Sequence, residues 1–403
     1  MAQRIVLTVG PESAHLPGFH RPAIQAAIDH VAALGGGTVK LLPGRYELRN
    51  AVIMRAGVRL EGCGEETWLA KAAEVSSPLI EDTDWYESVV RVADPRGFQV
   101  GDGIVLQGTP PHSGPASLHK LKATVVAVDG HTLHLDRKVK LSYWTEHENT
   151  CSTLFPLIWI ENVSDCAVAR LRLDGNRAEN GLLDGNHAGG VFMQFAERIA
   201  LDEVISHSHH SDGFSWQVAD DVTVTGCRSF DNHGLGFHPG SGSQRPVVRH
   251  CHAHHNDIGF FFCWGVKHGL VEHNRFEDNH SYGISIGHRD TDNLVRSNVI
   301  ARNGKAGIYY RPEQPAVRLP HRNQFLDNEV VDNGAEESGC GFWLRDAVEG
   351  TEIRGNRFVD RGEGRQRTGV RIDAEVGPTV LEGNRFTGLT CEVEDARAAA
   401  ATR

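Results

Sequence analysis

The feature that most constrains this 403-residue sequence is a glycine followed by an alternating apolar segment, recurring at nearly fixed spacing. It reads GVFMQ from Gly190, GFSWQ from Gly213, GFHPG from Gly236 and GFFFC from Gly259. The series continues with GISIG from Gly283, GIYYR from Gly307, GFWLR from Gly341 and GVRID from Gly369. Successive glycines lie 23, 23, 23, 24, 24, 34 and 28 residues apart. The first and third residues after each glycine are mostly apolar, as in Phe214/Trp216, Phe260/Phe262, Ile284/Ile286 and Phe342/Leu344. That alternation is the period of a strand with one buried face. A unit this short cannot bury its apolar face alone, so neighbours must stack.

Two polar columns run beside the strands. One reads Cys227, Cys251, Asn274, Asn298, Asn328, Asn356, Asn384; the other, four residues before the glycine, reads His209, Asn232, His255, Asn279, Asn303. Stacked asparagines can bond amide to amide from turn to turn. Coils of 23–24 residues with short strands leave no room for the long 3.6-period stretches of a helical solenoid. The expected fold is therefore all-β, a parallel β-helix.

The segment RPAIQAAIDHVAALGGGTVKLLPGRYEL (21–48) resembles the start of the pectate-lyase-like right-handed β-helix superfamily, and LRLDGN (171–176) is similar to a coil phrase common there. The resemblance covers about 20–60 and 155–390. It implies a right-handed solenoid closed by a short amphipathic helix, with Ala23, Ile24, Ala27, Ile28, Val31 and Leu34 as its apolar stripe. It says little about activity, because one fold hosts many chemistries. The expected organisation is a cap and first coils over 1–85, an inserted β-subdomain over 86–140, the main β-helix over 141–390 and a frayed tail over 391–403.

A formal net charge of −11 argues against a nucleic-acid partner, which would need a basic face. The eight cysteines form no CxxC pair, which disfavours a zinc ribbon or a thioredoxin-like site. No apolar run is long enough to span a membrane, and the first residues lack a secretion signal. We expect a cytoplasmic protein with no membrane partner. Homo-oligomers through the sides of the solenoid are compatible with the fold.

The alternation assigns the second and fourth residues after each glycine to the outward face. One outward column is Phe192, Ser215, His238, Phe261, Ser285, Tyr309, Trp343, Arg371; the other is Gln194, Gln217, Gly240, Cys263, Gly287, Arg311, Arg345, Asp373. Thirteen of the 23 histidines lie between 207 and 288. Aromatic faces stack on sugar rings and Arg forks hold carboxylates, so this strip suits an oligo- or polysaccharide. The expected catalytic set is His238, His288, Asp290, Tyr309, Arg311 and Glu313. Asp212, Gln217, His233, Trp264, Lys267, Arg289, Trp343 and Arg345 are expected to bind substrate.

Two chemistries fit. A lyase or C5-epimerase would neutralise a uronate carboxylate with Arg311 or Arg345 and remove the C5 proton with His238 or His288, Tyr309 supplying a proton. A glycoside hydrolase or intramolecular glycosyltransferase would pair two carboxylates, with Asp290 and Glu313 the best placed and Asp212 a third. The Asn-x-Asp, Asp-Asp, Gly-His-Gly, Arg-x-Lys series of the polygalacturonases is not reproduced; only ADD at 219–221 and GHR at 287–289 approach it. A non-catalytic carbohydrate binder or adhesin is the third reading. The acidic protein's local positive strip favours the uronate lyase or epimerase. No cofactor is required and no transition-metal spacing is present. Oxygen ligands such as Asp212 and Asp257 leave Ca2+ open.

Overall fold

Each coil contributes one short strand to each of three parallel sheets. Strand Val191–Gln194 is followed by Ala200–Asp202 and Ile205–His207 before Phe214–Gln217 opens the next turn. The computed structural model, which describes residues 5–108, 120–335 and 338–397, holds sheets of 13, 11 and 11 strands built in this way. The glycine-led strands form one 11-stranded sheet, from Val52–Ile53 to Cys391–Asp395. Its register matches the outward column read from the sequence. Phe192 pairs Ser215, Ser215 pairs His238, Phe261 pairs Ser285, Ser285 pairs Tyr309, Tyr309 pairs Trp343 and Trp343 pairs Arg371.

Inside the coils Phe214, Phe260, Ile284 and Phe342 are fully buried in a single core cluster. Phe214 and Phe237 stack with ring centroids 5.1 Å apart. The leading glycines are required by close approach rather than by backbone angle. A Cβ on Gly213 would lie 2.0 Å from Ser229 Oγ, and one on Gly236 2.5 Å from the carbonyl oxygen of Gly259.

Amide ladders close the corners. Asn274, Asn298, Asn328, Asn356 and Asn384 bond in sequence, each Nδ2 donating to the next Oδ1 at 2.9–3.1 Å. A second ladder runs Asn232, Asn256, Asn279, Asn303, Asn333 and ends on Gln366. Asn256 takes the position expected for His255. A rung gives two hydrogen bonds from one amide nitrogen, as Asn256 Nδ2 does to the Ser229 carbonyl and Asn279 Oδ1, and a neutral imidazole has only one N–H. His255 instead sits exposed at the corner with φ 55°, its Nδ1 against that of His254. Cys227 and Cys251 head the first ladder as buried thiols, Cys251 N–H donating to Asn274 Oδ1.

The helix Arg21–Ala33 packs Ile24, Ala27, Ile28 and Val31, all fully buried, onto the first coils. His20 caps it by accepting from Ala23 N–H. Leu34, expected on the apolar stripe, ends the helix and is 58% exposed, because the chain has already left the helical path. None of the described helices is long and apolar enough to cross a membrane.

The inserted sheet is wider than 86–140. Six antiparallel strands run from Ser76–Pro78 to Thr150–Ser152, and these two pair with each other. The edges of the insertion lie outside the expected range because both strands are too short to show a period. The subdomain has its own core, including Val90, Ile104, Leu106, Val125, Leu133 and Tyr143. Arg49 of the first coil ties it down with two bonds to the buried Asp102 carboxylate, at 2.7 and 2.8 Å. The tail also differs from expectation. Cys391–Asp395 is the last strand of the glycine-led sheet, and residues 398–403 lie outside the described residues.

The ladders and the surface pairs should differ in weight. Asn298→Ala strands the Val271 carbonyl and the Asn274 N–H groups in a dry corner, so it should cost about 2–4 kcal/mol by chemical denaturation. Arg322→Ala, at the exposed pair with Asp292, should cost about 1 kcal/mol or less. Equal losses would show that the ladder is not what holds the coils.

Candidate functional site

The outward face of the glycine-led sheet is not uniformly open. Phe192 and Ser215 occupy outward positions yet are fully buried. Lys122 of the inserted sheet lies 4.0 Å above the Phe192 ring and 4.4 Å from that of Trp159, its Nζ donating to the His187 carbonyl at 3.0 Å. The Ser215 hydroxyl donates to the Gly185 carbonyl. The insertion and the 175–190 loop thus roof the first coils, His238 is still buried, and the strip emerges one coil on, at Phe261. Burial brings the Lys122 ammonium down to about 7, a group on this face that the sequence reading missed. Its signal was only a lone lysine in an inserted strand.

Asp212 and His238 form a buried pair at that edge, Nδ1 to Oδ2 at 2.7 Å. The other Asp212 oxygen accepts Leu235 N–H at 2.8 Å, so Asp212 is the histidine's partner and not a substrate ligand. Burial opposes the imidazolium, but Asp212 and the adjacent Cys263 outweigh it and raise His238 to about 10. Cys263 lies beside the ring, yet Nε2 makes no well-formed hydrogen bond. Gln217, expected to bind substrate, is 2% exposed and folds over Gly240, its Nε2 donating to Ser215 Oγ.

Asp290 also departs from expectation. It is fully buried, one oxygen accepting the N–H groups of Gly265 and Val266 and the other that of Gly287. Burial raises it to about 6 against the pull of Arg311 and those amides. It braces a corner, its oxygens committed to three backbone amides and, at 3.4 Å, to Arg311. Arg311 reaches back across Gly287, with Nη1 donating to Ser285 Oγ at 3.0 Å and Nη2 to the Phe262 carbonyl at 2.7 Å; its guanidinium carbon sits 4.0 Å over Phe261.

His288 and Glu313 come together. Glu313 accepts the backbone N–H of His288 at 2.9 Å, and its second oxygen lies 3.4 Å from His288 Nδ1. The ring stacks on Trp264, centroids 4.6 Å apart, and Trp264 is 60% exposed. One coil on, Arg345 donates to the Tyr309 hydroxyl oxygen at 2.7 Å, and Tyr309 stacks on Tyr282. Trp343 is less available than expected, since the guanidiniums of Arg345 and Arg371 lie 4.8 and 5.1 Å from its ring and its Nε1 donates to Asp373.

The remaining expected residues are peripheral. His233 is exposed and edge-on to His210. Arg289 is exposed at the corner with φ 60° and donates to the Val317 carbonyl. Lys267 sits past that corner on the bridge between Gln244 and Thr291, away from the strip. Among the described residues no three His, Cys, Asp or Glu side chains gather as a metal site, and Asp257 accepts from the Ser281 hydroxyl instead. The open clefts, of about 360 and 410 Å3, lie between the first coils and the insertion and share Arg49, Glu47 and Gln99.

The His238 pair has a pH signature. Its folded-state value lies above the ordinary value of about 6.5, so the stabilisation is complete below that pH and is lost as pH rises toward about 10. Asp212→Asn should remove this alkaline loss in denaturation midpoints and let the ring titrate lower by NMR. An ordinary titration of His238 in the unmodified protein would contradict the pairing.

Comparison with known proteins bears on the fold. The family described as right handed beta helix region matches residues 158–358. Mannuronan C5-epimerase AlgE3 of Azotobacter vinelandii is 25% identical over 334 residues, which is 82% of this chain and 13% of that protein. The chain thus spans about an eighth of that relative's length. The A-module of mannuronan C-5 epimerase AlgE4 from the same organism superposes with a TM-score of 0.56 at 16% identity, covering 93% of each chain. A solved glycoside hydrolase superposes with a TM-score of 0.53 at 12% identity, covering 94% of this chain and 96% of its own. At such identities the superpositions speak for the fold alone. Over residues 158–358 the chain belongs to the right-handed β-helix region family.

Proposed function

We propose that the protein is carbohydrate-active, and that it removes the C5 proton of a uronate unit in a polysaccharide lying along the strip, as a C5-epimerase or an eliminating lyase. The observation that carries this reading is a single arrangement. Tyr309, Arg311 and Glu313 follow one another along the Ala306–Tyr310 strand and its exit, with Arg345 on the Tyr309 oxygen and His288 on Glu313. The epimerase name of the AlgE3 relative supports the substrate class.

Each group has a role that follows from its contacts. Arg311 is anchored by Ser285, the Phe262 carbonyl and, at 3.4 Å, Asp290; from there its guanidinium would meet the uronate carboxylate, so that charge developing toward that carboxylate on loss of the C5 proton is stabilised. Glu313 engages His288 Nδ1, which fixes the ring and leaves Nε2 to take the proton. Tyr309 accepts from Arg345 and offers its own O–H. Delivered to the opposite face of C5, that proton inverts the centre. Delivered to the C4 oxygen as the C4–O bond breaks, it completes an elimination. Trp264 offers its exposed face to a neighbouring sugar.

The hydrolase reading loses its best pair because Asp290 is buried. It survives only with Asp346, whose carboxylate accepts Glu313 N–H at 2.8 Å. The products separate the readings. Elimination produces the ultraviolet absorbance of an unsaturated uronate, epimerisation in heavy water incorporates deuterium at C5 without chain cleavage, and hydrolysis releases reducing ends with neither. His288→Ala and Tyr309→Phe should each lower kcat about 10²–10⁴-fold on a polyuronate, with a smaller loss for Glu313→Gln. Unchanged turnover in both His288→Ala and Tyr309→Phe would remove this reading.

A further inference from the structure

We propose that Cys263 is a nucleophile activated by His238 and Asp212, and that this second site transfers acyl groups out of esters. Cys263 N–H donates to the Pro239 carbonyl at 2.9 Å, which sets its side chain on the outward face one coil beyond His238. Asp212 holds His238 Nδ1 at 2.7 Å, so Nε2 is the nitrogen left for the thiol. Nucleophile, imidazole and orienting carboxylate therefore follow one another in the order that thiol and hydroxyl acyl-transfer enzymes require.

Independent observations point to a ligand here. His238 Nε2 and Gln217 Oε1 are both buried without a hydrogen-bond partner, on adjacent coils. Gln217 pairs with Gly240, where an added Cβ would fall 2.3 Å from that same Oε1. Two unpartnered polar atoms on neighbouring coils are costly unless something polar meets them, and His238 is the one that Cys263 lies beside. Cys263 is also partly exposed and lies beside a protonated imidazole, the setting of reactive cysteines. Arg311 donates to the carbonyl of the preceding residue, Phe262, at 2.7 Å. The buried thiols of Cys151, Cys166, Cys227 and Cys340 are instead pushed up by burial.

The step balances without a cofactor. His238 is the imidazolium below about pH 10, so the resting pair is a Cys263 thiolate beside a ring that already carries the thiol's proton on Nε2; the thiolate attacks the ester carbonyl carbon, and the oxyanion faces the guanidinium of Arg311. Collapse breaks the acyl C–O bond, and His238 returns its proton to the departing alcohol. Water, deprotonated by His238, then attacks the Cys263 thioester, releasing a carboxylic acid and the free thiolate. The net change is ester plus water to acid plus alcohol. That the ester sits on a sugar hydroxyl rests on the polysaccharide reading above; the thiol chemistry does not.

The test uses the full chain with p-nitrophenyl acetate and iodoacetamide. A burst of p-nitrophenol with an acetyl group on Cys263, found by mass spectrometry after acid quench, is expected. Cys263→Ala should abolish it, and Asp212→Asn should slow it about 10²-fold or more. At pH 6, iodoacetamide should label Cys263 of the unmodified chain well ahead of the half-exposed Cys63 and Cys391. This arm needs no variant and decides the matter should Asp212→Asn not fold. His288→Ala should keep the acetyl burst while losing the uronate reaction, so the two readings fail separately. Absence of a Cys263 adduct, a burst that survives Cys263→Ala, or labelling of Cys263 no faster than Cys63 and Cys391 would overturn it.

Discussion

Everything in this molecule depends on coils being held in strict parallel register, at a rise of about 4.8 Å per turn. Hydrogen bonds between strands supply the rise, but strands of two to six residues fix register weakly by themselves. The asparagine ladders add the missing specification. Each rung binds the next rung's amide and the backbone of neighbouring coils, so a slip of one residue would leave several buried polar groups unmet. The glycines that begin the strands serve the same end by letting a corner approach the next sheet closely.

That register turns sequence repeats into columns, and the columns are where chemistry accumulates. Residues 23–26 apart become neighbours, which is how Asp212 meets His238 at the roofed edge and His288 meets Glu313 farther along. The two pairs differ in environment. Asp212–His238 is closed off and strongly ion-paired, whereas His288–Glu313 lies beside an exposed tryptophan. A similar solenoid carries an epimerase module and a glycoside hydrolase, so the fold leaves the reaction open. The distinction rests on individual side chains, above all on Asp290 being occupied by three backbone amides.

The parts of the fold legible in the sequence were those governed by periodicity. The alternation after each glycine anticipated the stacked Phe214, Phe260, Ile284 and Phe342, and the pairing of Ser285, Tyr309, Trp343 and Arg371. Aligning on glycine misplaced one rung, because the coil holding Asn256 is one residue shorter between rung and strand than its neighbours. The insertion boundaries were blurred for a related reason. Ser76–Pro78 and Thr150–Ser152 have no period, and only their pairing makes them strands.

The sequence by itself determined the coil, the inward and outward faces, and the order of residues along the strip, because a two-residue period and a 23–24-residue repeat leave one way to bury the apolar side chains. Tertiary structure alone decided which outward residues are available. Insertion strand and loop cover Phe192 and Ser215, Lys122 arrives over the sheet from a distant segment, and guanidiniums lie over Trp343 and Phe261. These outcomes depend on side-chain direction and on contacts between non-repeating segments, for which a repeat carries no signal.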